Sequence, residues 1–169
     1  PLMLRAVSTY SKEFNIVIAG MKNFKDLYGK ITSNSSAKVI YMDTYNILNN
    51  SSRALVTSGT ATLETAFFNV PQIVCYKTSW LSYIIAKSLV KIKYISLVNL
   101  IMDKEIVKEL IQNNLSVFKL TKELNILNDD LALNKMKESY QLLIAKCQGE
   151  NVSKNIATDM FKTIESFQK

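Results

Sequence analysis

Ala54-Leu55-Val56-Thr57-Ser58-Gly59-Thr60-Ala61-Thr62-Leu63-Glu64 runs from a short apolar segment, through a turn of small polar residues around one glycine, into a helical pattern. An apolar run of this length bounded by turn residues suits a strand buried on both faces. The same unit recurs on either side. Asn15-Ile16-Val17-Ile18-Ala19-Gly20, Lys38-Val39-Ile40-Tyr41-Met42 and Gln72-Ile73-Val74-Cys75-Tyr76 read as strands, and Ile92-Lys93-Tyr94-Ile95-Ser96-Leu97 as a less regular fifth. Helical patterns fall between them at 23–30, 44–50, 60–69 and 79–90, and residues 2–14 precede them at helical spacing.

Strands alternating with helices predict βαβ units and a parallel sheet, hence an α/β, Rossmann-like open sheet with right-handed crossovers. From residue 104 onward the pattern is helical, at 104–113, 121–127, 128–147 and 151–168. Gly149 separates the last two, so the expected organisation is a sheet-containing lobe over 1–148 and a terminal helix over 149–169.

The chain has 169 residues, of which 48% are hydrophobic and 21% charged, enough apolar side chain to bury one sizeable core. Histidine is absent, which removes His-activated nucleophiles and the usual zinc sites. Lys and Arg exceed Asp and Glu by 21 to 14, a net charge of +7 that favours an anionic partner. Cys75 and Cys147 are far apart and form no CxxC, so two buried thiols in a reducing compartment are expected. No apolar run approaches the roughly 18 residues of a membrane span.

Ligands of open parallel sheets sit beyond the carboxyl ends of the strands, which directs attention to the loop after Val56. Gly59 lets a backbone approach a ligand closely, Ser58 or Thr60 can cap the following helix, and the N–H groups of its first turn attract an anion such as phosphate. Glu64 can accept hydrogen bonds from two adjacent hydroxyls, as on a ribose ring. The same residues also make an ordinary helix start, with a cap and an early glutamate facing the helix dipole.

Ser58-Gly59-Thr60-Ala61-Thr62-Leu63-Glu64, followed by Val70-Pro71-Gln72, Tyr76-Lys77-Thr78, Ala86-Lys87, Val90-Lys91 and Tyr94-Ile95-Ser96-Leu97, closely resembles the lipid-A-disaccharide synthase family. Asn99-Leu100-Ile101, Glu109-Leu110 and Gln112 extend the match into the helix that follows. The resemblance implies the C-terminal lobe of a two-lobed GT-B glycosyltransferase. Such an inverting enzyme joins UDP-2,3-diacylglucosamine to 2,3-diacylglucosamine 1-phosphate and releases UDP. It also implies that Glu64 meets the uridine ribose, that Ser58, Gly59, Thr60 and Ala61 meet the pyrophosphate or adjoining sugar, and that Asn99 and Gln112 lie near the donor. Glu109 and Lys77 would support them. No cofactor or metal is implied, and the general base and most of the acceptor site belong to the N-terminal half.

Two positions depart from the family pattern: Leu97-Val98-Asn99 stands for Leu-Pro-Asn, and Met102-Asp103 where a glycine is common. The family's Pro-Gly-Ser-Arg loop and the strand before it would precede Pro1. A gap is therefore expected between the strand at 15–19 and that at 54–57, and the apolar face of 151–168, with Phe161 and Phe167, must find its own domain or a second copy.

Lys77, Lys87, Lys91 and Lys93 alternate with Trp80, Tyr83, Ile84 and Ile85, and a segment of this kind either touches an anionic membrane surface or packs as an amphipathic helix. The implied location is cytoplasmic and peripheral to the inner membrane. A receiver-like phosphoacceptor domain built on Asp43, Ser58 and Lys77 is the alternative reading, and it lacks the early acidic pair such domains use. No nucleic-acid motif is present.

Overall fold

The computed structural model describes residues 2–57, 59–79, 93–149 and 152–167. In chain order the elements are α1 (Leu2–Val7), β1 (Val17–Gly20), α2 (Lys25–Thr32), β2 (Lys38–Tyr41), α3 (Thr44–Asn49), β3 (Ala54–Thr57), α4 (Ala61–Phe67) and β4 (Gln72–Tyr76). There follow α5 (Leu97–Met102), β5 (Lys108–Ile111), α6 (Val117–Ile126), α7 (Asp130–Cys147) and α8 (Val152–Phe167). The fold is α/β, and every pairing is parallel: β1 with β2, β3 with β4, and β4 with β5.

The central strand explains the layering. Successive side chains of β4 point to opposite faces, and both faces are covered. Ile73 and Cys75 join Ala6 of α1, Leu110 of β5, and Leu120 and Leu124 of α6. Val74 joins Ala66 of α4, Val98 of α5, Val107, and Tyr140 and Leu143 of α7. One helical layer is thus α1 with α6, and the other is α4, α5 and α7. Each fully buried Leu, Ile or Val here contributes about 1.5–3 kcal/mol relative to exposure. Polar ties reinforce the layers: the Gln72 side-chain amide donates to the Thr62 carbonyl at 2.9 Å and to the Tyr140 hydroxyl at 3.3 Å.

Strands β1 and β2 form a separate sheet of their own, with no ladder joining β1 to β3. Ile18, Val39 and Tyr41 share one face and are half-buried, and Tyr28 of α2 meets Tyr41 edge-on at 6.0 Å. On the other face Val17, Ala19 and Ile40 are exposed, unusual in a parallel pair. Tyr45 of α3 stacks on Phe68 at 5.5 Å and so ties this half to the rest, and a second tie lies at the strand starts. The Arg53 guanidinium stands 4.8 Å over the Phe14 ring, and its Nε donates to the Leu127 carbonyl at 2.7 Å.

Three expectations are corrected. Residues 93–96 form no strand; the chain turns there into α5, which begins at Leu97. The fifth strand is Lys108–Ile111, inside the stretch 104–113 that reads as helix. Its residues are strong helix formers, but pairing with β4 and burial of Leu110 override that preference. Cys147 is exposed and only Cys75 is buried. The expected helix 79–90 falls, apart from Ser79, outside the described residues, as do Trp80, Lys87 and Lys91. In α8, Ile156, Met160, Phe161 and Ile164 are exposed.

Burial pushes the Cys75 thiol up from its ordinary 9.0 to about 12. Native protein should therefore react with one equivalent of a thiol reagent, at Cys147, and with two only in denaturant. The raised value stabilises the fold fully below pH 9 and is lost as pH climbs toward 12, so the melting temperature should fall on the alkaline side. Two fast-reacting thiols in the native protein would contradict this core.

Candidate functional site

The carboxyl ends of β3, β4 and β5 lie side by side, and the loops that leave them hold most of the residues marked out by sequence. Gly59 has φ +136°, a conformation that side chains other than glycine's rarely adopt, although a Cβ there would meet nothing within 4 Å. The glycine is required by the backbone and not by space. Its carbonyl accepts from the Thr62 N–H at 3.2 Å and from the Thr62 hydroxyl at 2.8 Å. The Thr60 carbonyl accepts from the N–H groups of Leu63 and Glu64. Thr60 makes no side-chain cap bond, so its expected capping role is not observed. Among the described residues, the N–H groups of Thr60 and Ala61 have no acceptor. Ser58 lies outside the described residues.

Glu64, one turn into α4, is half-buried, and its carboxylate has no hydrogen-bond or ionic partner among the described residues. Lys77, just beyond β4, is exposed and likewise has no ion pair there. These residues form an open group whose polar atoms face water.

Asn99, Glu109 and Gln112 form a closed group. Asn99 is fully buried; its Nδ2 donates to the Val107 carbonyl at 2.8 Å and to Glu109 at 2.9 Å. Its Oδ1 accepts from the N–H groups of Ile106 at 2.7 Å and Val107 at 3.0 Å, so no donor or acceptor on Asn99 is left for a ligand. Glu109 accepts from the N–H groups of Ile95 and Ser96, each at 2.9 Å, and from the Ser96 hydroxyl at 2.7 Å. Gln112 is at φ +50°, and its amide grips Thr78 twice. Oε1 accepts from the Thr78 N–H at 2.8 Å, and Nε2 donates to the Thr78 carbonyl at 3.1 Å. Glu109 thus belongs to β5 and Gln112 to the single 3-10 turn that follows it, not to the α-helix expected there. Ser96 and Thr78 are the members that sequence reasoning missed. Ser96 carried one signal, a helix-capping serine with Asn99 three residues on.

Among the described residues no three His, Cys, Asp or Glu side chains gather as a metal site. A cavity of about 170 Å³ lies at the opposite edge of the sheet, against Gln72 and Lys108, the first residues of β4 and β5, and so away from the candidate site. Asp43, the candidate phosphoacceptor, follows β2 in the other sheet and accepts from the Asn46 amide at 3.1 Å.

Two substitutions test this geometry. Gly59→Ala should cost about 1–3 kcal/mol through backbone strain alone. Asn99→Asp is nearly isosteric yet sets a carboxylate oxygen against Glu109 and the Val107 carbonyl, so it should destabilise by about 3 kcal/mol or more at neutral pH and recover partly in acid. Denaturant unfolding checks both, and an Asn99→Asp protein as stable as wild type would refute the bracket.

A family model described as lipid-A-disaccharide synthetase matches residues 2–161. Among curated proteins, the lipid-A-disaccharide synthase of Sulfurihydrogenibium sp. is 35% identical over 138 residues, covering 79% of this chain and 35% of that protein. That of Psychromonas ingrahamii is 55% identical over 71 residues, or 42% of this chain and 19% of its own length. The Rickettsia conorii synthase is 41% identical over 92 residues, covering 53% and 21%. The chain thus matches between 19% and 35% of the length of these relatives. With an α/β fold of parallel strands, a family match over nearly all its residues and the Gly59 loop at the carboxyl edge of its sheet, the chain belongs to the lipid-A-disaccharide synthase family.

Proposed function

We propose that this chain forms the donor-binding part of a glycosyltransferase that moves 2,3-diacylglucosamine from UDP to 2,3-diacylglucosamine 1-phosphate in lipid A biosynthesis. The observation that carries the reading is the open group: an unpartnered Glu64 carboxylate within one helical turn of the unpaired Thr60 and Ala61 N–H groups. A nucleoside diphosphate is complementary to it. The ribose hydroxyls donate to Glu64, and the diphosphate accepts from the Gly59 loop, to which Ser58 belongs, and from Lys77.

Inverting transfer breaks the bond between the anomeric carbon and the phosphate while the acceptor hydroxyl attacks the opposite face. Negative charge grows on the departing UDP, and donors already fixed in place stabilise that charge without reorganising. The acceptor site and the base that takes the hydroxyl proton are assigned to residues outside this chain, so the chain by itself should transfer nothing. The basic and apolar residues that follow Lys77, up to Tyr94, are assigned contact with the anionic membrane surface from which acylated substrates come, and the apolar stripe of α8 to the other lobe or a second copy. No helix among the described residues is long and apolar enough to cross a membrane. The receiver-like alternative has no support from the family match.

Titration of UDP into the chain tests the donor reading. Wild type should bind, and Glu64→Ala should weaken binding about tenfold or more, the worth of one or two hydrogen bonds to a charged acceptor. Absence of UDP binding by wild type would overturn it, and disaccharide formed by the chain alone would overturn the assignment of the base elsewhere.

A further inference from the structure

Gln112 and Glu109 lie three residues apart at the end of β5, and each grips a different end of the connection between β4 and α5. At the near end the Gln112 amide holds the Thr78 backbone through both its N–H and its carbonyl. At the far end the Glu109 carboxylate holds the N–H groups of Ile95 and Ser96 and the Ser96 hydroxyl. Because Ser96 Oγ donates to Glu109, its lone pair is left to accept from the Asn99 N–H at 3.3 Å, which starts α5. β5 thus fixes both ends of the connection, and neither grip leaves its side chain directed at a ligand.

The near end carries the functional weight. Thr78 directly follows Lys77, an exposed cation at the carboxyl edge beside the Gly59 loop, with no ion pair among the described residues. A two-point grip on the next residue, one bond to each of the peptide units that flank its Cα, removes backbone freedom beside Lys77 in a way that one hydrogen bond cannot. Gln112 itself sits at φ +50°, a conformation uncommon for glutamine.

Resting on the donor reading above, we infer that Gln112 is a positioning residue for the phosphates of the sugar nucleotide, acting through Lys77, with Glu109 securing the other end of the same connection. Its effect should therefore depend on phosphate and on Lys77. Neither dependence follows from a merely structural role.

The test uses NMR titrations of uridine and UDP into the chain. Gln112→Asn is the informative variant. Asparagine accommodates positive φ better than glutamine, so the backbone is not strained, but its amide is one methylene too short to reach Thr78. UDP affinity should fall about fivefold to tenfold and uridine affinity by less than about twofold, with the melting temperature little changed. Lys77→Met should show the same UDP-selective loss. The double variant should lose no more than the larger single loss, because Gln112 acts through Lys77. Glu64→Ala should weaken uridine and UDP alike. If UDP binding is unchanged in Gln112→Asn, if uridine falls in step with it, or if the losses multiply in the double variant, the inference is overturned while the donor reading stands. If wild type fails to bind UDP, both fall. Should Gln112→Asn fail to fold, Gln112→Glu keeps the acceptor for the Thr78 N–H but repels its carbonyl, and the same uridine and UDP comparison decides.

Discussion

The carboxylate of Glu109 accepts four hydrogen bonds, from Ile95, Ser96 twice and Asn99, and every donor is neutral. Half-buried, with no cation beside it among the described residues, it is held by main-chain and side-chain dipoles at the positive start of α5. Each such bond is worth about 1.5–3 kcal/mol, and removing the acceptor would leave buried donors of Ser96 unpaired. Because the start of α5 is fixed, Val98 is delivered to the core with Val74 and Tyr140. Asn99, on the same short helix, then bonds the backbone at Ile106 and Val107 and so sets where β5 begins. The apolar layer on this face of the sheet depends on that polar bracket.

The same bracket explains what the sequence could and could not disclose. β3 and β4 were legible to the residue, because strands buried on both faces leave an unbroken apolar run closed by turn residues. β5 was not, because Lys108 and Glu109 interrupt its run and its residues favour helix locally; only pairing with β4 makes it a strand. The Gly59 turn could be read because φ +136° demands glycine. The roles of Asn99 and Gln112 could not. A polar side chain that grips backbone and one that grips a ligand are chemically the same residue, and what separates them is whether its donors and acceptors are already occupied.

Burial is distributed unevenly. β4 is covered on both sides, whereas the β1–β2 pair exposes Val17, Ala19 and Ile40 on one face and, among the described residues, joins no other strand. The β1–β2 ladder and the β3–β4–β5 ladder are, among those residues, separate sheets. Arg53 against Phe14 and Leu127 joins the two halves at the strand starts, and Tyr45 of α3 stacked on Phe68 joins them again. A parallel pair with one bare face contributes little hydrophobic stabilisation of its own, so its stability depends on what it packs against. The exposed stripe of α8 is in the same position, with Met160 and Ile164 turned to solvent.

At the carboxyl edge, closed and open polar groups stand next to each other, and each depends on the other. Unpaired donors and acceptors are costly in a core but cheap where water reaches them, so the free N–H groups of Thr60 and Ala61 and the free carboxylate of Glu64 cost the fold little. They would be poor ligands if their backbone wandered, because binding would then have to order it. Asn99, Glu109 and Gln112 use up their own hydrogen-bonding capacity to fix Ser96 and Thr78, and with Thr78 the backbone next to Lys77. Among the described residues, what remains unpaired is the Glu64 carboxylate, the Thr60 and Ala61 N–H donors and the Lys77 ammonium. The proposed nucleoside diphosphate is complementary to that set in kind, since it offers hydroxyl donors to the carboxylate and anionic oxygens to the N–H groups and the lysine.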